Sequence, residues 1–239
     1  MAEKESKNKW HTPAERIMML GFAAVILLGT ILLCLPVSAA DGKSVYWLDA
    51  LFTATTSVCV TGLVTVPTAT TWSTFGKIVI LGLIQFGGLG IMACLTMVFL
   101  ILRRKISLQS RKLIQDTYNL PVLKGSVGIV RKLLIGTAAV ELAGAFFYSF
   151  WFVPEYGFWK GIGYSLFHSV SAFCNAGIDL VGESSFAPFV TNPLINFTTM
   201  GLIFLSGLGF PVWWEVLERV QDLVKGKRVS YTHLTLPTI

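Results

Sequence analysis

Two short runs hold the residues whose types and spacing could do chemistry: Cys59-Val60-Thr61-Gly62 and Cys174-Asn175-Ala176-Gly177. Their chemistry would be that of the backbone. Glycine tolerates the angles that let successive carbonyls face one way, and such carbonyls can replace the hydration shell of a monovalent cation. No carboxylate sits at 58–63 or 173–178, which argues against a divalent site built from Asp or Glu oxygens. The plainer alternative makes Gly62 and Gly177 turn glycines.

Other side chains are weaker candidates. Glu141 lies in the middle of the apolar run "AAVELAG". An intramembrane carboxylate can face a pore or pair with a base, and it can equally make a helix-packing hydrogen bond. Asp179 and Glu183, just beyond the second run, can concentrate cations at an outer mouth or be solvated loop carboxylates. His168 reads as a packing or hydrogen-bonding histidine rather than a metal ligand. The cysteines Cys34, Cys59, Cys94 and Cys174 form no CxxC pair and no zinc spacing. No cofactor is expected.

The elements that must position these residues belong to a membrane. The chain is 54% hydrophobic and 13% charged, against roughly 25% charged in soluble domains. Four stretches approach or exceed the roughly 20 residues that span a bilayer: Ile17–Val37, Phe75–Leu102, Ile129–Val153 and Leu194–Leu217. Basic residues cluster before the first, between the second and third, and after the fourth, whereas 38–76 and 154–193 contain only Lys43 and Lys160. The positive-inside rule then puts both termini and the middle linker in the cytoplasm. The net charge of +6 is thus a topology signal with secondary contact to anionic lipids, and no nucleic-acid partner is expected.

The halves repeat. "RIMMLGFAAVILLGT" at 16–30 matches "RKLLIGTAAVELAGA" at 131–145, and "ALFTATTSVCVTGL" at 50–63 matches "SLFHSVSAFCNAGI" at 165–178, both at an offset of 115. "GLIQFGGLG" at 82–90 matches "GLIFLSGLG" at 201–209 at an offset of 119. The outer segments contain stretches of roughly a dozen residues with helical spacing, starting near Tyr46 and Gly163, long enough to enter a bilayer and too short to cross it. Irregular backbone at membrane depth persists only when buried in protein or lining a water-filled cavity. The expected fold is an all-α integral membrane protein of two repeats, each a transmembrane helix, a re-entrant pore helix with its filter loop, and a second transmembrane helix. The expected divisions are a cytoplasmic N-terminus at 1–14, a first repeat at 15–102, a basic linker at 103–126, a second repeat at 127–219 and a tail at 220–239. The glycine stretches at 82–90 and 201–209 suit close helix packing or a bend in each second helix.

The runs "ALFTATTSVCVTGLVTV" and "GKIVILGLIQFGGLGIM", with "SLFHSVSAFCNAGIDL" as a second pore loop, closely resemble the Trk/Ktr/HKT superfamily of potassium transporters. The resemblance covers roughly residues 14–222. The short N-terminus is more similar to the Ktr-type membrane subunit than to the Trk type. Members have four such repeats around one pore, and Gly62 and Gly177 match the first two filter glycines. The resemblance implies that Cys59 to Gly62 and Cys174 to Gly177 form filter walls. Serine at the first glycine accompanies sodium permeation in the family, so Gly62 implies K+ as the transported ion; Na+ is an optional coupling ion. The resemblance further implies a homodimer in full-length form, a nucleotide-binding regulatory subunit docking on the cytoplasmic side, and a bacterial plasma membrane. Two repeats are present where a member has four, and the tail "VSYTHLTLPTI" does not resemble the continuation, so a truncated reading frame with a foreign end is expected, the alternative being half-length chains that pair to restore the ring of four. The alternatives are an integral-membrane enzyme using Glu141, His168, Asp179 or Glu183, and a non-conducting assembly module.

Overall fold

The computed structural model describes residues 14–90, 93–94, 96–97, 126–182, 184–209, 212–213, 216 and 219–220. The linker up to 125, the tail from 221 and Glu183 therefore lie outside the described residues. The described residues are helical and contain no strand, apart from an isolated bridge between Ala39 and Trp72. Helix α1 spans Ala14–Cys34, α2 Trp47–Val58, α3 Thr68–Thr71, α4 Thr74–Leu89, α5 Ser126–Tyr156, α6 Phe158–Phe173 and α7 Pro193–Leu208.

Local chemistry sets the boundaries. Ser73 caps α4 by accepting the Gly76 N–H at 3.2 Å, and Asn192 caps α7 by accepting the Ile195 N–H at 3.3 Å. These two caps share the offset of 119 seen in the sequence. Leu35-Pro36 turns the chain out of α1 at Cys34, before the expected end at Val37. Gly157, at φ 80, ends α5 and starts α6 at Phe158, five residues ahead of the expected start. Its φ and ψ, 80° and 166°, lie in a region that essentially only glycine occupies.

The second and fourth apolar stretches are not continuous helices. Helix α4 stops at Leu89 and α7 at Leu208, each on a glycine of nearly identical backbone: Gly90 at φ 80, ψ 151 and Gly209 at φ 77, ψ 152. Helical residues recur at 93–94, 96–97 and 212–213, so each glycine breaks an apolar run that then resumes. Among the described residues, Val130–Tyr156 is the helix long and apolar enough to cross a bilayer, and Met18–Cys34, Thr74–Leu89 and Pro193–Leu208 are shorter apolar helices.

Helices α1, α2 and α4 pack together, as do α5, α6 and α7, and α4 joins the groups by packing on α6. One contiguous core runs through both, from Leu33, Ala54 and Ile84 to Phe152, Phe173 and Leu202. Helix α6 is buried on every side from Phe167 to Phe173, as expected of an element enclosed by protein. The outer helices do the reverse. Leu20, Leu27 and Ile31 on α1, Ile135, Leu142, Phe146 and Phe150 on α5, and Phe197, Met200 and Phe204 on α7 are exposed at helical spacing. Contiguous apolar faces of this kind are rare on proteins surrounded by water.

Candidate functional site

The site begins where α2 and α6 end. Cys59 N–H donates to the Thr55 carbonyl at 2.8 Å, and Thr61 N–H reaches back five residues to the Thr56 carbonyl at 2.9 Å. Cys174 N–H donates to Val170 at 2.8 Å, and Ala176 N–H to Ser171 at 2.8 Å. Both patterns are Schellman caps, whose turning residue is left-handed and usually glycine. Here the turning residues are Val60 at φ 54 and Asn175 at φ 59. Asparagine tolerates that conformation, but in a β-branched valine it is a true outlier. Residue type could have signalled the turn at Asn175; nothing marks Val60.

One residue after each cap the backbone turns left-handed again, at Gly62 (φ 81) and Gly177 (φ 67). The two segments meet there. A Cβ built on Gly62 would lie 2.6 Å from the Ala176 carbonyl oxygen, and one on Gly177 would lie 3.8 Å from the Gly62 Cα. The hydroxyl of the third-last helical residue then grips the outgoing chain. Thr56 Oγ1 accepts the Leu63 N–H at 3.0 Å, whereas Ser171 Oγ donates to the Ile178 carbonyl at 2.6 Å. The positions correspond, but the polarity is reversed. This difference had no sequence signal, since both hydroxyls can donate or accept. Of the eight residues in the two runs, Cys174 and Ala176 are buried, Cys59, Thr61, Asn175 and Gly177 are exposed, and Val60 and Gly62 are half-buried.

Helix α4 backs both segments. A side chain on Gly87 would collide with the Val58 carbonyl, and one on Gly88 with the Cys174 thiol. The packing reading of the glycine stretch thus applies at 87 and 88, and the bend reading at 90.

The remaining candidates separate. His168 is 2% exposed, with Nδ1 2.7 Å from the Tyr164 carbonyl and Nε2 accepting the Leu180 N–H at 3.1 Å. A carbonyl can only accept, so the ring proton is on Nδ1, and both nitrogens are used in holding the outgoing chain to α6. Phe152 stacks on the ring at 4.9 Å. Asp179 braces its own loop, accepting from the Val181 N–H at 3.0 Å and the Ser185 hydroxyl at 2.6 Å. It also lines a cavity of about 420 Å³ beside Gly62, Thr65, Pro67 and Gly177. Glu141 is 7% exposed and accepts from Gln85 Nε2 at 3.0 and 3.3 Å, while its backbone carbonyl takes the Ser169 hydroxyl at 2.6 Å. Its side-chain partner is therefore a neutral amide on α4, one that sequence reading did not single out. Among the described residues no three His, Cys, Asp or Glu side chains converge as metal ligands would.

The family model for TrkH, described as a cation transport protein, matches residues 7–233. The chain belongs to the TrkH family. Its TrkH-family relatives include the potassium/sodium uptake protein NtpJ of Enterococcus hirae, 40% identical over 95% of this chain and 50% of that protein. The Ktr system potassium uptake protein B of Bacillus subtilis is 39% identical over 90% of this chain and 48% of its own length. The protein of the same name from Vibrio alginolyticus is 38% identical over 89% of this chain and 46% of its own length. The chain spans about half the length of the curated relatives it matches. The TrkH family is one of membrane transporters, and these relatives are uptake proteins rather than enzymes, which removes the ground for the enzyme alternative.

Proposed function

We propose that this TrkH-family chain supplies two walls of a channel-like potassium pore whose selectivity filter is made of backbone carbonyls. Cys59 to Gly62 form one wall and Cys174 to Gly177 the other. The observation that carries the reading is the meeting of two Schellman-capped helix ends at Gly62 and Gly177. Each helix presents its partly negative C-terminal end, which favours a cation. Backbone strain at Val60 supports the same reading, because a costly conformation persists where the surroundings and the task demand it.

In this reading α2 and α6 are re-entrant pore helices, and α1, α4, α5 and α7 belong to membrane-crossing segments, with 15–102 and 127–219 as the two repeats. The breaks at Gly90 and Gly209 interrupt the second crossing of each repeat. Both termini and the 103–126 linker lie in the cytoplasm of a bacterial cell, and the membrane is the plasma membrane. K+ is the transported ion. Na+ enters as a coupling or second ion, a role that the printed name of the Enterococcus relative supports. The full-length protein pairs as a homodimer and docks a cytoplasmic nucleotide-binding subunit. Asp179, with Glu183 outside the described residues, adds negative charge at the outer mouth.

Gly62→Ser in the full-length transporter tests the filter. Comparison of potassium and sodium fluxes in liposomes should show a several-fold fall in the preference for potassium. A preference equal to that of the unaltered protein would defeat the proposal.

A further inference from the structure

The second wall is held by a contact that the first lacks. Asn175 Nδ2 donates to Ser206 Oγ at 2.9 Å, and the Ser206 hydroxyl donates to the Ile203 carbonyl at 3.1 Å. A hydroxyl has one proton, so Ser206 can only accept from Asn175, and the amide is fixed with its nitrogen towards α7. The Ser206 carbonyl in turn accepts the Gly209 N–H at 3.3 Å. One serine therefore touches both the left-handed residue that opens the second wall and the glycine that breaks α7.

The corresponding positions of the first half are Val60 and Gly87. They also meet, because a Cβ on Gly87 would lie 2.8 Å from Val60 Cγ2. The same two places touch in both halves, by packing in one and by a hydrogen bond in the other. Packing can slide; a hydrogen bond to a fixed amide has a defined length and direction.

We propose that Ser206 is a positioning residue for the second filter wall. Through Asn175 it sets the turn from α6 into Ala176-Gly177 and ties that turn to the break at Gly209, so ion selectivity depends on the shape of α7. This inference rests on the filter reading above. The test compares potassium and sodium fluxes of the full-length transporter in liposomes for Ser206→Ala, Ser206→Thr, Asn175→Ala and the Asn175→Ala/Ser206→Ala pair. Ser206→Ala should lower the potassium-to-sodium ratio about fivefold, the scale of one lost hydrogen bond. Ser206→Thr keeps the acceptor and should stay within about twofold of the unaltered ratio. The pair should be no worse than Asn175→Ala alone, because both changes remove one interaction.

A residue that only stabilised the fold would lower both fluxes together and leave their ratio alone. An unchanged ratio in Ser206→Ala, an equal loss in Ser206→Thr, or effects that multiply in the pair overturns the proposal. Should Ser206→Ala fail to reach the membrane, Ser206→Gly places the residue of position 87 there and is judged by the same ratio. A ratio that responds to Gly62→Ser but not to Ser206→Ala sinks the tie and keeps the filter. A ratio that responds to neither sinks the filter itself.

Discussion

At Gly62 and Gly177 the backbone is alike, but an added side chain would meet different surroundings. Both glycines are left-handed, so any side chain costs about 1–2 kcal/mol in local strain. At Gly62 a Cβ also runs into the Ala176 carbonyl oxygen of the other segment at 2.6 Å, whereas at Gly177 the nearest atom is 3.8 Å away. Gly62→Ala must displace backbone; Gly177→Ala need not. We expect Gly62→Ala to lower both the thermal unfolding midpoint in detergent and the potassium preference clearly more than Gly177→Ala. Equal losses would show that the two segments do not press on each other at this point. The sequence marked both glycines, because residue type is a direct signal of a left-handed backbone. It could not rank them, since the difference lies in a neighbour more than a hundred positions away. Val60 was opaque for another reason: valine is the wrong type for its own conformation, and only the surrounding structure holds it there.

Single elements were legible to the extent that they follow a hydrophobic run. The short helix near Tyr46 and the long helix over 129–153 are readable from residue type and period. For the second and fourth stretches the glycine runs offered packing or a bend, but not a full stop at Gly90 and Gly209, because an apolar run looks the same on either side of a break. Glycine adds ambiguity. In "FGGLG" the residues Gly87 and Gly88 let α4 approach the ends of α2 and α6, while Gly90 ends the helix. Three glycines in five residues thus serve two purposes, which spacing cannot separate. The purposes make opposite demands on a methyl group. A side chain at Gly90 meets nothing within 4 Å, so Gly90→Ala is penalised by backbone conformation alone, about 1–3 kcal/mol. Gly88→Ala keeps an allowed helical backbone but collides with Cys174. In thermal unfolding, Gly88→Ala paired with Cys174→Ala should therefore recover part of the loss. Gly90→Ala should gain nothing from Cys174→Ala. Recovery of Gly90→Ala by the same partner would mean that the break is set by packing.

Across the whole molecule the two helix groups meet at a seam where α4 packs on α6, and a buried polar pair lies beside that contact. Gln85 on α4 donates to Glu141 on α5, and Ser169 on α6 donates to the Glu141 carbonyl. Three helices are thereby joined around one buried residue. Its equivalent in the first half is Ile26, so the carboxyl belongs to the seam and not to the repeat. That asymmetry could be read from sequence, but its partner could not, because Gln85 lies 56 positions away. Removing one member of a buried polar pair strands the other, which costs more than removing both. Gln85→Leu and Glu141→Leu should therefore each destabilise the protein, and the double substitution should recover about 0.5–2 kcal/mol relative to their sum. Thermal unfolding of the four proteins in one detergent measures this coupling directly. Additive losses would show that Gln85 and Glu141 act independently, and the seam would then rest on the glycine contacts of α4. On the filter reading proposed above, a positive coupling would make this pair a determinant of how the two walls are set against each other. In that case the single variants should also shift the potassium preference, and the double variant should partly restore it.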